Sequence, residues 1–510
     1  MIKTIFTKIK SKCSGTKAIS LGILTLLIIG FASESKAQGA SFWSQPQRIP
    51  EYHDFTEEPP YLITDMNHTV HAFNAQPLDL DDPETPKAIF YRQWTIENGW
   101  TYPNDVLYDM DGVGLNVVGV TSDQSGRVHL IVQKGSDIYY VQNQLALAQN
   151  AASWPAPVFV AGQTSSVGPG FEIVSAIGTD PAGNEIVIIF SGHQYGNGLY
   201  FTSSSDDGVT WTEPYPVYLT GDDQIIVTDP KLSVGESGLF HAVWSTFLDT
   251  GFGGPGFYAN FDLQSRAWSE PMELDIPGIR TPSVVEIDDN IFVSYYHINV
   301  NGNWWRRSSD GGKTWSFPEQ FSSRHVGTNG SVSFVVDSAN VLHAFFGERI
   351  DDNNHGMWHL TFTGVTWAGT EALARGPQRK DKVGGNGFDP RSARAVVVNG
   401  NVVLVTWGTD GIAGTNGAWF SYKRFDVPEL PAVELPGSPV VDTAGLTPTI
   451  TAGGQQITDN TTHSISDLGL QTDPPKDTYD PQRAIFIGVV PVVLLLLGMI
   501  LMHYFQSRKR

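Results

Sequence analysis

Four histidines recur in look-alike runs: His71 in TVHAF, His129 in RVHLI, His241 in LFHAVW and His343 in VLHAFF. Imidazole binds metals readily and changes charge near neutral pH, so a repeating histidine first suggests a ring of ligands. Each, however, holds the same place in a separate repeat unit, where other units carry IVIIF, IFVSYY and VVLVTW. Such places stand far apart, so the imidazoles cannot converge on one ion, and each is expected to hydrogen-bond within its own unit. The acidic runs Leu78–Thr85 and Asp351–Asn354 offer the oxygen ligands that calcium takes. Neither has an ordered ligand spacing, so solvated loops and no cofactor are expected. The only cysteine, Cys13, lies in a segment expected to be removed, which leaves no thiol chemistry.

The elements that must position any site are read from turns and tryptophans. Ser308–Trp315 places a polar turn between two strand-like runs, with Asp310 able to accept backbone N–H bonds and Gly312 able to adopt a left-handed backbone. Thr314 favours the pleat, and Trp315 offers an apolar face to bury beneath the hairpin. The same S-x-D-x-G-x-T-W pattern stands at Ser204, Asp206, Gly208, Thr210 and Trp211, and Pro214 and Pro318 follow the two tryptophans at equal distance. A tryptophan marks the last strand of every unit, at Trp43, Trp100, Trp154, Trp211, Trp268, Trp315 and Trp367, about 47 to 57 residues apart. That is the period of a four-stranded propeller blade. Complete units end at Trp100, Trp154, Trp211, Trp268, Trp315 and Trp367. The remnant Asp389–Asp426 holds three strands, and the orphan Phe42–Ile49 at the other end supplies the missing fourth. An all-β propeller of seven blades is expected over residues 38–428, with six as the alternative. Abundant glycine and aromatics and few charged residues agree with that class.

The two boxes resemble the Asp-box of the sialidase (BNR-repeat) superfamily of β-propellers. Sialidases of that superfamily have six blades, so a count of seven is a departure. In that fold the box is a structural turn, and the pocket lies over the axis on the other face. The polar stretches expected there are His193–Tyr195, Asp249–Phe252, His297–Asn303, Arg349–His355 and Thr409–Asn416. The resemblance further implies an arginine cluster that grips a carboxylate, a Tyr–Glu nucleophile pair and an Asp acid/base. Arg280 in IRTPSVVEI resembles the family's Arg-x-Pro at the start of an inner strand, and Arg391 in DPRSARAVVV takes the similar place in the last unit. The corresponding stretches EPPYLI, LNVVGV, FEIVSA, TDPKLS and NGSVSF offer no third arginine there. Arg48 falls on the orphan outer strand. Asp79, Asp81 and Asp82 form no motif, and Tyr295 and Tyr296 are expected in the core. The ligand-binding set is therefore Arg280, Arg391, His193, Tyr195, His297 and Arg349, and no catalytic residue is assigned.

The ends of the chain speak of location. Met1–Ala37 reads as a signal peptide with a basic start, an apolar Ile19–Phe31 and a small-residue cleavage site. Residues 484–505 form an uncharged apolar run, and Arg508, Lys509 and Arg510 follow it in a short basic tail, 506–510. A Pro-, Thr- and Ser-rich stalk over 429–483 joins that span to the propeller. Sequons stand at Asn67, Asn329 and Asn460. The net charge of −21 becomes about −26 without the leader, which argues against nucleic acid and anionic lipid as partners. The reading is a single-pass protein of the plasma membrane with its propeller outside, binding a glycan or a cell-surface protein on its axial face. An exo-glycosidase acting on terminal acidic sugars is the alternative, and a structural part of an envelope assembly is the third reading.

Overall fold

The computed structural model describes residues 42–433, apart from 53–57, 80–81, 83, 110, 163–174, 249–252, 301, 322–325, 352–353, 377–389 and 410–416. Seven antiparallel sheets form seven blades in chain order. Their innermost strands are Tyr61–Thr64, Leu115–Ser122, Ser175–Thr179, Ile225–Val234, Ile279–Ile287, Val326–Val336 and Pro390–Val398. In the last blade the chain adds Val402–Thr409 and Trp419–Arg424, and the N-terminal pair Gln47–Arg48 completes it as the outer strand, opposite Phe420 and Trp419. Ser44 extends that closure by donating its N–H to the carbonyl of Tyr422 at 2.9 Å. The closure and the count of seven agree with the expectation. The membrane span, leader and stalk beyond residue 433 lie outside the described residues, among which no helix is long and apolar enough to cross a membrane.

The alternating apolar faces of the strands dictate where the core sits. Each blade presents one side to each neighbour, so apolar residues collect in layers between blades. Phe73, Tyr91, Val117, Val128 and Trp154 fill the layer between the first two blades, and Trp43, Phe345, Met357, Val405 and Trp407 fill that between the last two. Trp43 thus closes the ring by packing as well as by pairing, with Phe345, His359 and Phe425 edge-on around it.

Up-and-down order puts two kinds of turn on one face. The turns from first to second strand and the boxes from third to fourth strand share it, while inner-strand starts and the second-to-third turns lie on the other. In the box at Ser308, the Ser Oγ accepts from Gly312 N at 2.9 Å, and Asp310 accepts from Thr314 N at 2.9 Å and Thr314 Oγ1 at 2.6 Å. The box at Ser204 repeats these bonds through Gly208, Asp206 and Thr210. Trp211 and Trp315 each donate their indole N–H to the glycine carbonyl of their own box, at 3.2 and 2.9 Å, and pack their rings on Tyr140 and Tyr258 of the preceding blade. In the second blade two short 3-10 turns, Leu145–Leu147 and Ala151–Ser153, replace a box.

The recurring histidines are structural, as expected, with one correction. His71 joins Tyr91 Oη at 2.7 Å to Asp65 at 3.0 Å, and His129 joins Tyr140 Oη at 2.6 Å to Asp123 at 3.2 Å. His343 meets His359 at 2.8 Å and Asp337 at 3.3 Å. His241 reaches Tyr258 in its own blade, but its carboxylate is Glu286 of the next blade, at 2.6 Å. The reason is that Gly235 stands where Asp65, Asp123 and Asp337 stand elsewhere. Glu286 fills the space so closely that a Cβ on Gly235 would fall 1.6 Å from its oxygen.

Candidate functional site on the axial face

The axial site is built by a repeated irregularity in the inner strands. Pairing in the fourth blade jumps from Thr228↔Ser245 to Lys231↔Val243, so one extra residue is inserted. The same one-residue bulge lies between Arg280 and Ser283 in the fifth blade and between Arg391 and Arg394 in the seventh. The bulged residues Asp229, Thr281 and Ser392 all have positive φ, at 52°, 47° and 54°. That conformation is uncommon outside glycine, and strained for a β-branched threonine; such strain gathers at sites that must aim a side chain.

What the bulges aim is charge. TDPK, RTPS and RSAR align, so Lys231 and Arg394 occupy the place that Ser283 holds in the fifth blade. The Arg394 guanidinium lies 3.6 Å over the Tyr61 ring, donates to the carbonyl of Pro59 and stands 3.6 Å from Glu58. Ser392 donates to the other Glu58 oxygen at 3.1 Å. Arg280 lies over the Phe247 ring at 5.1 Å and interacts electrostatically with Asp229. Burial pushes the Asp229 carboxyl up, against the pull of Lys231 and Arg280. Lys231 is pushed down to about 8, first by burial and then by Arg394, against the pull of Asp229 and Glu58. Blades four and seven stand three apart in a ring of seven, so groups from both that influence one another must meet near the axis. Lys231 makes no hydrogen bond or ion pair among the described residues, and its side chain is only partly covered.

The sequence-derived residues divide. Arg280 is engaged with the preceding blade, over Phe247 and facing Asp229, as the alternative of an arginine that fastens adjacent blades expects. Arg391 shares its strand position before the bulge, and Arg349 lies on the second strand of the sixth blade, but their side chains lie outside the described residues. His193 and Tyr195 sit exposed in a second-to-third turn of the third blade, where Tyr195 N–H donates to Tyr200 Oη at 2.7 Å. His297 is corrected. It is 2% exposed at the end of its strand, with both ring nitrogens unpartnered among the described residues, so it does not line an open surface. Tyr295 is core, as expected, with its hydroxyl donating to Asp275 at 2.7 Å. For the calcium alternative, the side chains of Asp351–Asn354 and residues 80, 81 and 83 of Leu78–Thr85 lie outside the described residues, and Asp82 accepts from Glu84 N–H at 3.0 Å. Among the described residues no group of three His, Cys, Asp or Glu side chains could hold a metal ion.

Sequence reasoning missed Lys231 and Arg394. Both stand in legible stretches, TDPKLS and DPRSARAVVV, but three places after the aligned position of Arg280, beyond a bulge that leaves no mark in the sequence. A cavity of about 580 Å³ opens at the opposite mouth between the inner strands of the first four blades. Of its three carboxylates, Asp65 and Asp123 are committed to His71 and His129, and Glu236 is the third.

No family model matches this chain, and no curated protein does. Among solved structures, a protein of unknown function from Dyadobacter fermentans is 14% identical over 75% of this chain and 99% of its own, with a TM-score of 0.45. The polysaccharide lyase PL25 ulvan lyase is 10% identical, covering 75% and 97%, at 0.47. The Hadza microbial sialidase Hz136 is 13% identical, covering 72% and 65%, at 0.41. Both Asp-boxes that carry the sialidase-like resemblance are formed, and the seven blades are the expected departure from it.

Proposed function

We propose that this protein binds acidic glycans on the axial face of its propeller. The observation that carries this reading is the cluster of Lys231, Arg280 and Arg394. Against three cations stand two carboxyl groups, Glu58, which accepts from Ser392 and lies 3.6 Å from Arg394, and Asp229, which burial pushes up against the pull of Lys231 and Arg280. The balance is locally positive in a chain of net charge −21. Low-dielectric walls strengthen such a local field, and guanidinium forks suit carboxylates. A leader, stalk and membrane span would present that face at the cell surface to glycans or glycosylated proteins.

Affinity electrophoresis of the full chain through gels of polygalacturonate, alginate, hyaluronan or neutral dextran tests the reading. Retardation by at least one acidic polymer and none by dextran is expected. Arg280→Ala should weaken the binding by about 1.5–3 kcal/mol, the worth of a charge-assisted hydrogen bond. Equal retardation by dextran, or unchanged binding in Arg280→Ala, would overturn it.

A further inference from the structure

The chain does not leave the propeller where its last strand ends. After Trp419–Arg424 it turns back across the Asp-box face and bonds to turns of three successive blades. Phe425 N–H donates to the carbonyl of Asn401 at 2.7 Å, and the Pro428 carbonyl accepts from Ser338 Oγ of the sixth blade. Leu430 N–H donates to the carbonyl of Asn399 in the seventh blade, and Val433 N–H to that of Met66 in the first, both at 2.7 Å. Gly400 is fitted to this course, because a Cβ there would lie 2.7 Å from Ser338 and 2.8 Å from Leu430. Leu430 and Val433 are half-exposed, so backbone bonds rather than burial hold the strap.

Other seams of this face carry their own bonds between neighbouring blades. Gln124 N–H donates to the Pro181 carbonyl at 2.9 Å, Ser237 Oγ to Glu286 at 2.7 Å, and Ser338 N–H to the Gly400 carbonyl at 2.8 Å. At the seam between the last and first blades the strap spans the gap. The same seam is bridged on the axial face by Arg394, which donates to the Pro59 carbonyl, and by Ser392, which donates to Glu58 at 3.1 Å. The neighbouring inner strands Pro390–Val398 and Tyr61–Thr64 are thus tied to each other at both ends. Tyr61–Thr64 is only roughly 13 Å long, a short paired strand through which a shift at Met66 reaches Pro59.

Resting on the acidic-glycan reading, we infer that residues 426–433 form a latch that holds the first and last blades in register and thereby regulates the axial site. With the latch seated, Pro59 and the Tyr61 ring hold the Arg394 guanidinium in place, so a ligand meets a preorganised cation. With it released, the first inner strand loses its tie at Met66, and ordering Arg394 draws on the binding energy of the ligand. Residues 434–510 continue from Val433, so a pull on that chain reaches the Val433–Met66 bond before the others. Linkage makes the effect reciprocal: a polymer bound at the axial face tightens the strap.

Val433→Pro in the full chain removes the N–H that Met66 accepts, whereas Val433→Ala keeps it. Amide hydrogen exchange and affinity electrophoresis in polygalacturonate and alginate gels are measured for both variants and the wild type, and urea unfolding verifies that each variant folds. Val433→Pro should speed exchange in Tyr61–Thr64 about tenfold and weaken retardation about three- to tenfold, and Val433→Ala should change neither. Bound polymer should slow exchange at Leu430 and Val433 of the wild type. Exchange in Tyr61–Thr64 that is the same in Val433→Pro and wild type overturns the latch. Faster exchange with unchanged retardation overturns its hold on the axial site and leaves the binding reading standing. No retardation of the wild type by either acidic polymer takes down both the binding reading and the regulation.

Discussion

The two faces of this propeller handle polar groups in opposite ways. On the Asp-box face the box residues and His71, His129 and His343 finish their bonds within their own blades, and His241 finishes its own through Glu286 of the next blade. Asp310 collects Thr314, Lys313 and Ser308, which hold its carboxyl down to about 2, chiefly through the Thr314 hydroxyl. On the axial face three inner strands are bulged, and the Lys231 amine has no hydrogen-bond partner among the described residues. The proposed ligand face is thus the one whose inner strands are irregular.

Breaking the satisfied face should produce the largest effect. Gly312 has φ 85°, and a Cβ there would lie 2.6 Å from the ring of Tyr258 in the preceding blade. Gly312→Ala therefore combines left-handed strain with overpacking, roughly 2–5 kcal/mol together. Its neighbour Gly311 has φ 73° and open space around the same position. Gly311→Ala should then cost only the strain, roughly 1–2 kcal/mol. Urea unfolding of the two variants separates the terms. Equal losses would mean that the clamp between blades does not matter.

The contrast also explains how much could be read from the chain alone. The boxes, the recurring tryptophans and the four histidine runs are local patterns, each recorded in neighbouring residues. They gave seven blades, the N-terminal closure and the structural role of His71, His129 and His343. Long-range compensation was not visible. Nothing near His241 announces that Glu286 will serve it, because the relevant fact is an absent side chain at Gly235 and a carboxylate 51 residues later. The axial cluster was half legible for a similar reason. Arg280 could be found by its resemblance, but Lys231 and Arg394 depend on bulges, which shift which residue points to the axis without leaving a composition signal.

An intermediate effect is expected from acid on the satisfied face. His343 is pushed down to about 4, first by burial and then by His359 beside it. Its folded pKa thus lies below the value of about 6.5 in the unfolded chain. The unfolded state takes up the proton first, so the stabilising contribution is full above about 6.5 and is lost as pH falls towards 4. By pH 5 the loss should approach about 2 kcal/mol. His343→Gln should flatten this slope, as seen by comparing urea midpoints at pH 7 and pH 5. Asp310 and Glu371, both held down to about 2, titrate below that window, whereas His359, 2.8 Å from His343 and also pushed down by burial, shares it, so the substitution reports on the pair. An unchanged slope in His343→Gln would move the acid sensitivity to another group.

The smallest effect, and the one that sharpens the contrast most, should come from Lys231→Met. If the amine were part of the scaffold, its loss would weaken the fold as removal of a paired charge does, by about 3–5 kcal/mol. No such pair exists for Lys231 among the described residues, and its proton affinity is lowered, not raised. A depressed lysine pKa means that the unfolded chain holds the proton more tightly. Stability from this group is then complete above about 10.4 and is lost as pH falls through about 8, so at pH 7 the charged amine weighs against the folded state. Met fills similar volume without a charge to desolvate. Lys231→Met should therefore leave stability at pH 7 unchanged or raise it by up to about 1 kcal/mol, a figure reduced because the side chain is partly open to the channel. The difference between variant and wild type should shrink as pH is raised from 8 to 10. Paired urea titrations at pH 7, 8.5 and 10 measure both. A loss of more than about 1 kcal/mol at pH 7 would assign Lys231 to the scaffold, and the axial face would then resemble the Asp-box face in kind.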